Sequence, residues 1–199
     1  MMRVIDNFLD DPYSFRNFGL KNVNNKVSSE NWPGWRIDVP SSLSEKYRSK
    51  SEFILHTKLR IRRIYFQWLD ESWLSGLWHT DGDDYTILTF LNLITPSNTG
   101  IEIGELLTDR SSVNHIRRME ESKCDFYNSS RNFFQRSKFK KKIDKFNSSP
   151  FFKDSCIISN KFNRTVIFNR DRLHRAQNFF GKEPSNCRFT MIAFCNETT

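Results

Sequence analysis

The sequence predicts a mainly β domain with helices packed on its flank, an α+β arrangement. Three observations carry that prediction. Apolar residues at helical spacing occupy the start of the chain, and β-rich runs dominate from Leu59 onward. One long polar stretch, about residues 108–160, interrupts the β-rich part. With 199 residues and no repeat or Gly/Ser/Pro linker, the chain is expected to form a single domain, 1–199, around one core. Its parts are an N-terminal helical portion of about 1–57, the β-rich remainder, and the polar, basic insertion of about 108–160.

The elements follow in order. A first helix is expected after Asp10-Asp11, with Pro12 in its first turn and Phe15 and Phe18 on one face. Trp32-Pro33-Gly34-Trp35 reads as a turn. Ser42-x-x-Glu45 reads as a capping box opening a second helix with Leu43, Tyr47 and Ile54 on its face. Leu59, Ile61, Ile64, Tyr65, Phe66 and Trp68 predict a strand interrupted by Arg60, Arg62 and Arg63. Further strands are expected at 85–94, closed by Thr95-Pro96-Ser97-Asn98, and at 101–107 after Gly100. Within the polar stretch, helical potential lies near 113–121 and 132–146. Strand character resumes at 165–168 and again at 187–194.

Composition narrows the class. Hydrophobic residues make up 37% and charged residues 27%, the range of globular chains. No window approaches the roughly 20 apolar residues of a membrane span. The start, Met1 to Asp6, lacks a signal-peptide apolar run, so a cytoplasmic protein with no membrane partner is expected. Cys124, Cys156, Cys187 and Cys195 form no C-x-x-C pair, which argues against a zinc ribbon or redox motif and for free, mostly buried thiols. The net charge of +8 permits an anionic partner. Arg131, Arg136, Lys138, Lys140, Lys141, Lys142 and Lys145 face a single acid, Asp144, with Phe133, Phe134, Phe139 and Phe146 interleaved. This stretch reads either as a solvated amphipathic helix or as a nucleic-acid contact.

Chemistry points to His79-Thr80-Asp81, just before the strand at Tyr85. In extended backbone, residues two apart face the same way, so an imidazole and a carboxylate can meet one ion. A second histidine would complete the two-His, one-carboxylate set of non-heme iron sites, and His174, a short turn beyond 165–168, is the candidate. An H-x-[DE] pair alone is weak, since chance supplies one in roughly two of five such chains. Arg188 and Thr190 add to it, because they share a strand face with Ile192 and Phe194. An arginine on that face either pairs with a protein acid, reaches the rim, or takes a dicarboxylate ligand through a bidentate contact, with the Thr190 hydroxyl adding a hydrogen bond.

These residues carry a resemblance. Val4-Ile5-Asp6-Asn7-Phe8-Leu9-Asp10-Asp11-Pro12, Trp32-Pro33-Gly34-Trp35-Arg36, His79-Thr80-Asp81, Phe90-Leu91-Asn92, Asn163-Arg164-Thr165-Val166-Ile167-Phe168, His174 and Arg188-Phe189-Thr190 occur in that order. Together they resemble the 2-oxoglutarate/Fe(II)-dependent oxygenase superfamily, in particular small phage and bacterial oxygenases related to prolyl 4-hydroxylases. The resemblance implies a double-stranded β-helix, a jelly-roll or cupin-like barrel. It implies Fe(II) on His79, Asp81 and His174, and 2-oxoglutarate held by Arg188 and Thr190, with O2 as co-reactant. The implied reaction is hydroxylation of a C–H bond coupled to decarboxylation of 2-oxoglutarate to succinate. Phe90 stands where related hydroxylases often carry tyrosine, so no third cosubstrate contact is named.

Two other classes compete. A nucleic-acid-binding protein on a degenerate barrel predicts salt-sensitive binding that survives loss of His79 and His174. A zinc hydrolase would use the same triad but leaves Arg188 without a role. The substrate (a peptidyl side chain, an amino acid or a nucleobase) and the oligomeric state are not legible in the residues.

Overall fold

The computed structural model describes residues 1–29, 32–73, 76–106, 141 and 152–198. Among these, two helices lie against a barrel of two antiparallel sheets. The strands are β1 (Met2–Ile5), β2 (Val27–Ser29), β3 (Trp32–Asp38), β4 (Leu59–Leu69), β5 (Tyr85–Phe90), β6 (Gly100–Leu106), β7 (Phe152–Ser159), β8 (Thr165–Asn169), β9 (Arg172–Gln177) and β10 (Arg188–Glu197); the helices are α1 (Pro12–Lys21) and α2 (Ser41–Leu55). The larger sheet has the order β1-β8-β5-β10-β4-β3-β2 and the smaller one β7-β6-β9. This is the double-stranded β-helix. No described helix is long and apolar enough to cross a membrane.

The alternation of side chains along each strand of the large sheet builds two cores. Toward the helices point Phe66 and Trp68 of β4, Ile87 of β5, Ile167 of β8 and Phe189, Met191, Ala193 and Cys195 of β10, packed with Phe15 and Tyr47. Toward the small sheet point Tyr65, Leu88, Phe90, Val166, Phe168, Ile192 and Phe194, meeting Ile101, Ile103 and Ile158. At roughly 1.5–3 kcal/mol for each fully buried large apolar side chain, these two layers supply most of the drive to fold.

Several local readings change. α1 begins as expected, with the Asp11 side chain accepting from the Ser14 amide at its N-terminus. α2 starts one residue before Ser42, at Ser41, with Pro40 as its N-cap and no side-chain cap, so the capping box is not used. Trp32 to Trp35 lies inside β3 rather than in a turn. Gly34 makes this possible: its φ is +88°, and a Cβ there would lie 2.1 Å from the Trp68 carbonyl oxygen. The stretch to residue 57 therefore holds three strands besides its helices. β4 runs unbroken through Arg60, Arg62 and Arg63, whose long side chains leave the sheet toward solvent on an otherwise sheet-forming backbone. β5 ends at Phe90, four residues early, because Asn92 turns its side chain to hold β10.

The strand β7 falls within the stretch read as polar insertion. Its pairing with β6 supplies the hydrogen bonds that its sequence does not advertise, and only Ile158 of Cys156-Ile157-Ile158 is buried. The predicted helices near 113–121 and 132–146, Cys124 and the basic stretch lie outside the described residues, apart from Lys141, which is exposed and helical. Cys187 and Cys195 are buried free thiols, whereas Cys156 is free and exposed.

Candidate metal and cosubstrate site

His79 and Asp81 sit on the connection between β4 and β5, and His174 sits on β9 of the small sheet. A short antiparallel bridge joins this connection to β9: the His79 amide donates to the His174 carbonyl at 3.1 Å, and the His174 amide donates back at 2.9 Å. His174 follows β8 after a short turn at Arg170 and Asp171, as expected, and lies on a strand whose pairing with Ile103 of β6 aims its ring into the barrel. One ligand atom from each of His79, Asp81 and His174 lies within 4.8 Å of the others. His174 Nε2 is 3.3 Å from Asp81 Oδ2, and His79 Nε2 is 3.8 Å from Asp81 Oδ1.

Both imidazoles are oriented from behind. His79 Nδ1 lies 2.8 Å from the Leu77 carbonyl oxygen, and His174 Nδ1 lies 3.2 Å from that of Arg172. With Nδ1 facing those carbonyls, each ring presents its Nε2 toward Asp81, the usual support for a metal-binding imidazole. The Phe168 ring lies tilted against His174, at 4.5 Å between ring centroids. Thr86, on the first turn of β5, donates to Asp81 Oδ2 at 2.5 Å. Burial alone raises the Asp81 pKa. Attraction to His174, a hydrogen bond to it, attraction to His79 and the Thr86 hydrogen bond together outweigh burial and hold the carboxyl well below its ordinary range. The triad thus brings two imidazole nitrogens and one carboxylate oxygen to one point, a donor set that fits a divalent first-row metal.

Arg188 and Thr190 project into the same barrel. Arg188 is fully buried; one guanidinium nitrogen donates to the Gly100 carbonyl at 2.6 Å, while its Nε has no hydrogen-bond partner. Its guanidinium lies 5.2 Å from the centre of the Phe90 ring, so phenylalanine supports the cation where a tyrosine hydroxyl was noted as missing. The Thr190 hydroxyl is also buried and without a partner. Of the alternatives open for Arg188, pairing with a described protein acid is not what the structure has: its hydrogen bond goes to a backbone oxygen. Burial pushes its pKa down to about 9, the mark of a cation that needs a counter-charge. Triad and arginine line one recess. The unmet buried atoms of Arg188 and Thr190, two residues apart on β10, suit a ligand carboxylate.

Asn92 has a structural role. Its side chain donates to the Cys187 carbonyl at 2.6 Å and accepts from the Phe189 amide at 2.9 Å and from Asn160 at 3.1 Å. It therefore clamps the end of β5 to the start of β10 on both sides of Arg188. Sequence reading missed four further lining residues: Thr86, Arg36, Tyr65 and Gln67. Gln67 carried a signal, a lone amide among the apolar residues at the end of β4. Burial pushes the Tyr65 phenol up to about 12, with Arg36 opposing and Asp81 adding to the rise, so Tyr65 is a neutral donor.

No protein-family model matches the chain, and no curated protein matches it in sequence. Solved structures do match. The non-heme α-ketoglutarate-dependent epimerase SnoN from nogalamycin biosynthesis superposes with a TM-score of 0.61 at 9% identity, over 100% of this chain and 78% of that one. The fold is that of the 2-oxoglutarate/Fe(II)-dependent oxygenases. A prolyl hydroxylase from Trichoplax adhaerens, in complex with a hypoxia-inducible-factor peptide, shares the oxygenase fold with a TM-score of 0.59 at 10% identity, over 98% and 83% of the two chains. HygX from Streptomyces hygroscopicus, with nickel, 2-oxoglutarate and hygromycin B bound, gives 0.55 at 11% identity, over 99% and 83%. In this chain the oxygenase fold carries a His-Asp-His cluster inside its barrel.

Proposed function

We propose that the chain is an Fe(II)- and 2-oxoglutarate-dependent oxygenase that hydroxylates a C–H bond of its substrate. His79, Asp81 and His174 are the metal ligands, and Arg188 with Thr190 anchors the distal carboxylate of 2-oxoglutarate. One observation carries the reading. The ligand triad and a buried, acid-free arginine line the same recess, with unmet hydrogen-bonding atoms on Arg188 and Thr190. The reading is supported further by neighbours of the same fold, among them one with nickel and 2-oxoglutarate bound.

When bound, the iron supplies activation of O2 coupled to decarboxylation of the 2-oxo acid. The chain's own part is placement and exclusion of water. Arg188 and Thr190 fix the far carboxylate, so the 2-oxo end points back toward the triad. Leu88, Ile101, Ile192 and Phe194 form dry walls between these two ends. A zinc hydrolase is less well supported, because Asp81 is the only acid among the described lining residues and already serves as a ligand.

Anaerobic titration of the metal-free protein with Fe(II) and then 2-oxoglutarate tests the proposal through the visible charge-transfer band of the chelate. The band is expected in wild type, absent in His174→Ala, and reached only at far higher 2-oxoglutarate in Arg188→Ala. Tight metal binding with no band at any 2-oxoglutarate concentration would overturn it.

A further inference from the structure

Asp81 brings two oxygens to the site, and the triad by itself does not choose between them. Oδ2 lies 3.3 Å from His174 Nε2 and Oδ1 lies 3.8 Å from His79 Nε2, so each oxygen faces one of the two imidazoles. The carboxylate is buried and is placed to give a metal one oxygen or both. Thr86 makes the two oxygens unequal. Its hydroxyl donates to Oδ2 at 2.5 Å.

The barrel sets up this contact. Thr86 is buried on β5, on the face it shares with Leu88 and Phe90 by two-residue alternation. In register it lies between Phe194 of β10 and Phe168 of β8. Neither ring offers an oxygen or nitrogen, and the hydroxyl proton goes to Asp81 instead. Valine would match the shape of Thr86 and suit the apolar face without it. The hydroxyl therefore serves the carboxylate and not the packing.

The number of oxygens that Asp81 gives decides how many positions a metal keeps. A roughly octahedral ion on two imidazoles and one carboxylate oxygen has three positions left. The 2-oxo acid takes two of them, and O2 needs the third. A second oxygen from Asp81 would close that third position while leaving the metal and the 2-oxo acid bound. An oxygen already accepting a short, charge-assisted hydrogen bond is the poorer metal donor, and the bond also holds the carboxylate against rotation. Oδ1 is then the oxygen left for the metal.

We infer that Thr86 is a positioning residue that, through Oδ2, keeps Asp81 a one-oxygen ligand and so keeps one position of the metal free for O2. The inference rests on the oxygenase reading above and extends it to a residue that touches neither metal nor cosubstrate.

The test compares wild type with Thr86→Val, Thr86→Ala and Thr86→Ser in the absence of O2. Three affinities are read: Fe(II) by competition with a chelator, 2-oxoglutarate from the chelate band, and nitric oxide, as a stand-in for O2, from the electron paramagnetic resonance of the loaded protein. Without the hydroxyl, Oδ2 turns to the metal as its nearest positive partner. Thr86→Val and Thr86→Ala are therefore expected to keep Fe(II) and 2-oxoglutarate within about threefold of wild type and to bind nitric oxide about tenfold more weakly or worse. Thr86→Ser keeps the donor and should restore wild-type nitric oxide binding. An intact chelate band in each variant reports a folded site. Unchanged nitric oxide binding in valine and alanine variants overturns the inference. So does a loss of about 10–100-fold in Fe(II) affinity with nitric oxide binding to the loaded site unchanged, which would give Thr86 the ordinary part of supporting a metal ligand. A serine variant that behaves as valine does overturns it too, since packing and not the hydroxyl would then be at work. Absence of the chelate band in wild type overturns the oxygenase reading and this inference together.

Discussion

The two faces of β10 differ in one respect that separates fold from function. On the helix side, Phe189, Met191, Ala193 and Cys195 are buried among apolar neighbours, and Phe189 stacks on Trp68 at 4.7 Å between ring centroids. On the barrel side, Arg188, Thr190, Ile192 and Phe194 are also buried, yet Arg188 Nε and the Thr190 hydroxyl have no hydrogen-bond partner. One strand thus carries a face whose packing is complete and a face with buried polar atoms left unmet. Buried polar atoms without partners each cost about 1–3 kcal/mol, so the second face lowers stability and holds that deficit for a ligand to relieve.

The contrast predicts opposite outcomes from substitutions one residue apart. Phe189→Ala removes the ring that fills the space between Trp68, Phe66 and Gly19. It should cost about 3–5 kcal/mol in a urea melt, the largest stability effect expected here. Arg188→Met should behave in the reverse sense. Its buried charge is present at every ordinary pH, because a base with a depressed folded pKa regains stability only above that value, here about 9. Removing the charge should leave the ligand-free protein as stable as wild type or more so by about 1–4 kcal/mol. The same change should weaken 2-oxoglutarate by about 2–5 kcal/mol, read from the chelate band. A strongly destabilised Arg188→Met would mean that the arginine is part of the core and that the two faces do not differ in kind.

This contrast was partly legible in the residues alone. The alternation Arg188, Thr190, Ile192, Phe194 showed a charge sharing an apolar face, and His79-x-Asp81 showed two candidate ligands on extended backbone; both needed only the two-residue period. Arg36, Tyr65 and Gln67 were not legible, because their place beside the triad depends on the register of β3 on β4 and of β4 on β10. That register is set by pairing between segments far apart in the chain. The strand β9, Arg-Leu-His-Arg-Ala-Gln, reads as polar because its inward face carries His174 where a core strand would carry an apolar residue. The strand β7 was hidden for a related reason: Ile158 is buried, but Ser155, Cys156 and Ile157 are exposed. Trp32-Pro33-Gly34-Trp35 has turn composition, yet Gly34 serves close passage beside Trp68.

Asn92→Ala sharpens the comparison from the strand end. It removes the clamp to Cys187, Phe189 and Asn160 while leaving every lining side chain in place. The expected stability loss is about 1–3 kcal/mol, with a smaller rise in the 2-oxoglutarate requirement as the start of β10 loosens. A rise in that requirement with no loss of stability would place Asn92 at the ligand and not at the backbone.

The finest cut is Thr190→Val, which keeps shape and removes only the hydroxyl. Thr190 has no exposure, and its neighbours in register are Gln67 and Phe90. A hydroxyl that gains nothing in the ligand-free barrel costs its desolvation, so valine should raise ligand-free stability by about 1 kcal/mol. If Thr190 donates to the cosubstrate carboxylate, valine should also weaken 2-oxoglutarate by about 0.5–1.5 kcal/mol. The two shifts have opposite signs because they have one origin, a donor buried ahead of its acceptor. Stability raised without any change in 2-oxoglutarate binding would leave Arg188 as the sole anchor on β10 and make the Thr190 hydroxyl an unrewarded cost.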